Sequence, residues 1–142
     1  MAGVILVVED DPTLVGALTR NMAARGYPTR GAMSVAEALN ALGHGLPALV
    51  LLDIDLPDGS GWDVFRALRA TGETDVPVIV MSALRPNPRL CDDLGAVGVL
   101  EKPFPMESLL RLVAQCLGRP AANGAEAAAA GAADGVNGVN GG

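Results

Sequence analysis

The sequence has a single histidine and two cysteines among 142 residues. Cys91 and Cys116 stand far apart without the paired spacing of a zinc ligand set, so a structural or catalytic zinc site is disfavoured. Both thiols read instead as reduced packing groups. Positive charge is scarce as well: 10 Lys and Arg against 16 Asp and Glu leave a net charge of −6. A positive footprint for nucleic acid or anionic lipid is therefore missing. No apolar run approaches the roughly 20 residues of a membrane-spanning helix. The opening run Val4-Ile5-Leu6-Val7-Val8 lacks a basic flank and ends in acids, unlike a secretion signal, so the chain reads as cytoplasmic. Nor does a Gly-rich loop follow any strand candidate, which disfavours nucleotide binding.

What is present bounds the architecture. With 142 residues, 50% of them hydrophobic, the chain can bury one sizeable core but not two. The composition shifts at Arg119, beyond which Ala, Gly and Asn dominate and Val136 and Val139 are the only large apolar residues. Such a segment cannot offset its ordering entropy, so residues 119–142 are expected to form a flexible tail on a folded unit spanning 1–118.

Within that unit short apolar runs alternate with segments of helical period. Val4–Val8, Ala48–Leu52, Val78–Met81 and Val97–Leu100 are apolar at consecutive positions, the pattern of strands buried on both faces. Tyr27–Ala32, which contains Pro28, Arg30 and Gly31, is placed at a sheet edge, where proline is tolerated. Between the runs, Pro12–Arg25 spaces Leu14, Leu18 and Met22 four apart and stops at Gly26. Ser34 and Glu37 form a capping-box pair for a helix ending at Gly43. Ser60–Ala70 turns Val64, Phe65 and Leu68 inward, and Leu109, Val113, Cys116 and Leu117 line the final helix. Trp62 and Phe104 read as packing anchors and His44 as a surface loop residue. Fivefold strand–helix alternation predicts an α/β fold: a doubly wound, five-stranded parallel sheet with helices on both faces.

The residues just past each strand carry the chemistry. Glu9, Asp10 and Asp11 follow the first strand, Asp53 ends the third, Ser82 follows the fourth, and Lys102-Pro103 follows the fifth. Ligands of an open parallel sheet bind outside the carboxyl ends of its strands, so these groups converge on one edge. Two carboxylates 4 Å apart repel by about 4 kcal/mol at an effective dielectric near 20, and call for a cation. An all-oxygen donor set selects a hard ion, Mg²⁺ or alternatively Mn²⁺. A carboxylate beside that ion, a lysine ammonium and a hydroxyl has what a phosphoryl acceptor needs: neutralised charge and anchors for the transferred oxygens. Taken singly, each group has a plainer reading. Asp10 and Asp11 suit a helix N-terminus, a role sufficient for Asp11, while Asp58, Gly59 and Gly61 suit a turn.

Four segments in order, Ile5–Asp11, Leu52–Gly61, Val80–Ala83 and Glu101–Phe104, resemble the motifs of a bacterial response-regulator receiver domain, and the resemblance covers residues 1–118. It implies the flavodoxin-like strand order 2-1-3-4-5, with Asp53 as phosphoacceptor. It implies Asp10 as a direct Mg²⁺ ligand, Glu9 acting through water, and the Asp55 backbone carbonyl as a further ligand. Ser82 and Ala83 would meet the phosphoryl group, Lys102 would pair with it, and the Lys102-Pro103 bond would be cis. Asp55 and Leu84 occupy positions that tune phosphoryl lifetime in the family. The partners implied are a sensor histidine kinase or a histidine phosphotransfer protein and a downstream protein target.

One departure stands out. Receivers commonly carry an aromatic or histidine ring three residues before the lysine, and here that position is Val99. Pro86 and Pro88 also leave only a short helix, about Arg89–Leu94, before Gly95. The signal is thus expected to pass through the Ser82 loop and this helix. The expected function is a single-domain regulator, self-catalysing its own phosphorylation and dephosphorylation, acting by protein contact without direct DNA binding or membrane insertion. The apolar Leu109, Leu110, Leu112, Val113 and Leu117 suggest a homodimer contact on the last helix. Rival readings are a phosphate sink or relay intermediate, a constitutive pseudo-receiver, and a haloacid-type phosphatase using Asp53 and Asp55.

Overall fold

The computed structural model describes residues 3–72 and 75–118. The expected tail, 119–142, lies outside the described residues. Seven strands and five helices follow in the order β1 (Ile5–Val8), α1 (Pro12–Ala24), β2 (Thr29–Ala32), α2 (Val35–Gly43), β3 (Leu49–Asp53), β4 (Asp55–Leu56), β5 (Gly59–Ser60), α3 (Gly61–Ala70), β6 (Val78–Ser82), α4 (Pro88–Leu94), β7 (Gly98–Glu101) and α5 (Met106–Leu117). Five of the strands form one parallel sheet in the order β2-β1-β3-β6-β7, which is the expected 2-1-3-4-5 arrangement. β4 and β5 form a separate antiparallel hairpin of two residues per strand. That hairpin has no counterpart in the sequence reading, because two-residue strands leave no alternation to detect.

The consecutive apolar runs have a direct structural reason. Successive side chains of a strand point to opposite faces, so a strand covered on both sides needs apolar residues at every position. Leu6, Val8, Val50, Leu52, Val78 and Val80 face one way and pack with Ala38 and Ala41 of α2 and Val64, Phe65 and Leu68 of α3. Ile5, Val7, Leu49, Leu51, Ile79 and Met81 face the other way, against Leu18 and Met22 of α1 and Leu109, Leu110 and Val113 of α5. Phe65, fully buried, alone removes enough apolar surface from water to contribute about 2–3 kcal/mol.

The helix ends are set by local chemistry. Asp11 caps α1 by accepting from the Thr13 N–H, with Pro12 in the first turn. The Ser34 hydroxyl accepts from the Glu37 N–H, while the Glu37 carboxylate accepts from Met33 N–H, one residue earlier than a regular capping box. Ser60 caps α3 by accepting from the Trp62 N–H. α4 has seven residues and ends at Gly95, whose φ of 78° a side chain would disfavour.

Two expectations shift. The edge strand begins at Thr29 rather than Tyr27: Tyr27 is buried and donates its hydroxyl to the Gly118 carbonyl, and the Pro28 carbonyl receives the Ile5 N–H. The broad apolar surface of α5 is also taken up largely by this fold, since Leu109, Leu110 and Val113 are buried and Leu112, Cys116 and Leu117 pack partly buried against the same core. Gly98 makes room for Leu112, whose Cδ1 would lie 2.9 Å from an added Cβ.

Candidate functional site

The carboxyl ends of β1, β3, β6 and β7 gather the expected polar groups. Glu9, Asp53 and Ser82 are the buried polar and charged side chains among the described residues, at 1%, 2% and 3% exposure. Glu9 leaves β1 in register with the edge strand, its N–H donating to the Ala32 carbonyl. Asp53 is the last residue of β3, paired with Met81 of β6, and the following Ile54 N–H donates to the Met81 carbonyl. Sheet hydrogen bonding therefore fixes the backbone that bears the two carboxylates.

Lys102 supplies the counter-charge. Its Nζ lies 2.6 Å from Glu9 Oε1 and 3.3 Å from Asp53 Oδ2. The other Glu9 oxygen accepts from the Asp11 N–H at 3.1 Å, and Asp53 Oδ1 accepts from the Asp55 N–H at 3.1 Å. Burial raises the Glu9 carboxyl above its ordinary value, opposed by the hydrogen bonds from Lys102 and Asp11. Burial acts to lower Lys102, but the hydrogen bond and charge of Glu9, together with Asp53, outweigh it and hold the ammonium above its ordinary value. The lysine thus stays charged between two acids. The backbone is tied there by the Lys102 N–H, which donates to the Ser82 carbonyl at 2.8 Å. The Lys102-Pro103 bond is cis, as the resemblance implied.

Glu9, Asp10 and Asp53 each offer a carboxylate oxygen, and these three atoms lie within 4.8 Å of one another. Asp10 is exposed, so one ligand faces solvent and the other two the interior. An oxygen-only cluster of three carboxylates fits Mg²⁺, which binds through one or two carboxylates and retains water. Ser82 is buried and accepts the Leu84 N–H at 3.3 Å, whereas Ala83 is exposed and Leu84 is 75% exposed. Val99 projects from the edge strand β7 at 44% exposure, so no ring or ring substitute packs inward at that position. A cleft of about 600 Å³ opens beside the cluster, with Leu14 and Ala17 of α1, Phe104 and Met106 in its wall along with Ala83 and Lys102.

Two site-supporting residues escaped the sequence reading. Gly61, read as a turn residue, allows a close approach: a Cβ there would sit 2.2 Å from the Asp53 carbonyl oxygen and 2.8 Å from Ile54 Cα. Asp58 does occupy a turn, but its carboxylate also accepts from the Val35 and Ala36 N–H groups at 2.8 and 3.1 Å. Those two bonds hold Asp58 below the usual carboxylate range. The partner lies 23 residues away, beyond any local signal.

Residues 5–114 match the family model of the response regulator receiver domain. The transcriptional regulatory protein KdpE of Mycobacterium tuberculosis is 38% identical over 120 residues, which cover 83% of this chain and 52% of KdpE. The response regulator MprA of a Mycobacterium species is 37% identical over 117 residues, 81% of this chain and 50% of MprA. The chain thus spans about half the length of the curated relatives it matches. Among solved structures, the HemR receiver domain of Leptospira biflexa superposes with a TM-score of 0.72 at 31% identity, covering 80% of this chain and 92% of that one. The response regulator TrrA of Thermotoga maritima, solved in complex with Mg²⁺ and BeF, gives 0.71 at 29% identity over 80% of this chain and 98% of its own. Among the described residues no helix is long and apolar enough to cross a membrane.

Proposed function

This chain belongs to the response regulator receiver domain family, and from that premise we propose that Asp53 is the acceptor in phosphoryl transfer from a phosphohistidine. The carrying observation is the buried Glu9–Lys102–Asp53 array, with Asp10 completing an oxygen cluster at its solvent side. An Asp53 carboxylate oxygen attacks phosphorus, the P–N bond of the donor breaks, and its electron pair returns to the imidazole nitrogen. Bound Mg²⁺, held by Asp10, Asp53 and the Asp55 carbonyl with Glu9 behind it, would neutralise charge on the phosphoryl oxygens. Lys102, already charged beside Asp53, pairs with one of those oxygens as the carboxylate becomes an acyl phosphate. The Ser82 hydroxyl and the Ala83 N–H serve a second oxygen. The apolar cleft along α1 beside Lys102 offers a docking wall for the donor protein, a sensor histidine kinase or phosphotransfer protein, within reach of the acceptor.

With Val99 on the surface, the signal passes through the Ser82–Leu84 loop into α4 and from there to a protein target. Incubation with acetyl phosphate and Mg²⁺, followed by intact-mass measurement and amide exchange, tests both steps. The wild-type chain is expected to gain one phosphoryl mass and to change exchange across residues 86–94; D53N should do neither. A phosphoryl gain that survives in D53N would sink the assignment of the acceptor.

A further inference from the structure

We infer that Asp58 is a positioning residue for the metal site: by tying the tip of the β4–β5 hairpin to the N-terminus of α2, it sets where the Asp55 backbone lies. The inference rests on the reading of the Asp55 carbonyl as a metal ligand. Asp55 belongs to a hairpin with two residues in each strand, Asp55 opposite Ser60 and Leu56 opposite Gly59. A two-stranded hairpin of ordinary length is marginal by itself, and one this short holds its shape only through what it touches.

Its base is well fastened. The Ile54 N–H donates to Met81 in the main sheet, the Gly61 N–H donates to the Ile54 carbonyl at 2.8 Å, and Leu56 is buried in the core shared with α2 and α3. The tip, Pro57-Asp58, is exposed and has no core contact of that kind. Its anchorage is the pair of charge-assisted hydrogen bonds from Val35 and Ala36 to the two Asp58 oxygens. Gly59 lies close enough beside the same helix that a Cβ there would be 3.4 Å from Val35 Cγ2.

The division of labour at the α2 N-terminus supports this role. Ser34 takes the Glu37 N–H and Glu37 reaches back to Met33, so the helix has a local cap of its own. Asp58 takes the two first-turn N–H groups that this local cap leaves, and does so from another element. Ser34 caps the helix; Asp58 joins helix to hairpin. A tip released from α2 leaves the Asp55–Leu56 peptide, which carries the Asp55 carbonyl and lies beyond the Ile54 bonds, held only by Leu56 and the hairpin's own pairing, and so freer to shift. The peptide just before it contacts the acceptor, its Asp55 N–H donating to Asp53 Oδ1. Displacements near 0.5 Å are enough to degrade a metal or catalytic geometry.

The test compares the full chain with D58A and S34A by titration calorimetry with Mg²⁺ alone, well below each melting temperature, and by amide exchange of the metal-free proteins. Both variants lose helix-cap bonds and should melt earlier. Only D58A should bind Mg²⁺ more weakly, by about tenfold, the lower end of what outer supports of a metal site contribute. Only D58A should exchange faster across residues 55–60. D58N, which keeps one acceptor oxygen, should fall between, and carries the test should D58A not fold. Wild-type affinity in the Asp58 variants, or equal weakening in S34A, would overturn the inference. A wild-type chain that takes up no Mg²⁺ would instead overturn the metal-site reading beneath it.

Discussion

On β1 and β3 the carboxyl edge is held from several sides at once. Glu9 is engaged through both oxygens, Asp53 through Lys102 and the Asp55 N–H, and Gly61 closes against the Asp53 carbonyl. On β6 and β7 the support thins quickly beyond Ser82. Leu84 projects into solvent, α4 is seven residues long, and Val97 and Val99 remain at 49% and 44% exposure. α4 is fastened by the buried Cys91 at its middle and at its far end, where Arg69 of α3 donates to the Leu94 carbonyl at 2.8 Å. The half proposed to perform chemistry is preorganised, and the half proposed to report it is the more exposed. Low local stability is the general property of elements that rearrange on signalling.

The contrast can be broken or sharpened by substitution. The largest expected effect is at Gly61: a Cβ driven to 2.2 Å from a backbone oxygen cannot be absorbed by a flexible side chain. G61A should lose about 3 kcal/mol in urea unfolding, the upper end for overpacking a tight site. A near-neutral result would mean that the edge around Asp53 yields more readily than its contacts imply. K102A comes next. It leaves buried Glu9 and Asp53 facing each other without their cation, but the lysine side chain is 22% exposed, so solvent screens part of the loss. About 2 kcal/mol is expected in metal-free buffer, below the range for a fully buried pair. Added Mg²⁺ should recover part of it, and a loss indifferent to Mg²⁺ would argue against a metal among these carboxylates.

A smaller effect is expected in acid. The folded-state value of Asp58 is held below the ordinary 3.8 by the Val35 and Ala36 N–H groups. Its stabilising contribution is therefore complete above the unfolded value and is lost as pH falls through the lower folded one. The difference in melting temperature between wild type and D58N should shrink below about pH 4. If it persists unchanged, the tie does not depend on the ionised carboxylate. Smallest of all is V99Y, which should stay within about 0.5 kcal/mol of wild type because the position is exposed. A loss several times larger would show that the β7 edge is more constrained than its exposure suggests.

The fold was legible in the sequence because both-sided burial writes itself as consecutive apolar positions, as in Leu49–Leu52 and Val78–Met81. Ser34 announced its helix through a local capping pair. Four acceptor-edge segments carried the family resemblance, and Glu9, Asp53, Ser82 and Lys102 do gather at one edge. What stayed hidden is long in sequence and small in space. Lys102 is separated from Glu9 by 93 residues, and nothing local says that it pairs with that acid in the metal-free protein. The β4–β5 hairpin is too short for a periodic signal, and the Asp58 contacts depend on where that hairpin lands on α2.

Trp62 follows Gly61 directly and is the chain's single tryptophan. Its ring stacks on Phe65 with centroids 6.4 Å apart and planes within 9°, and the Arg69 guanidinium sits 5.0 Å from the centre of that same phenylalanine ring. One indole therefore lies in a short line that starts at the acceptor's carbonyl and finishes at the arginine gripping α4. The molecule carries its own optical reporter at that point. Emission from Trp62 is expected to report the proposed change at Asp53, and any movement of α4 that follows from it, without a label attached to the protein surface.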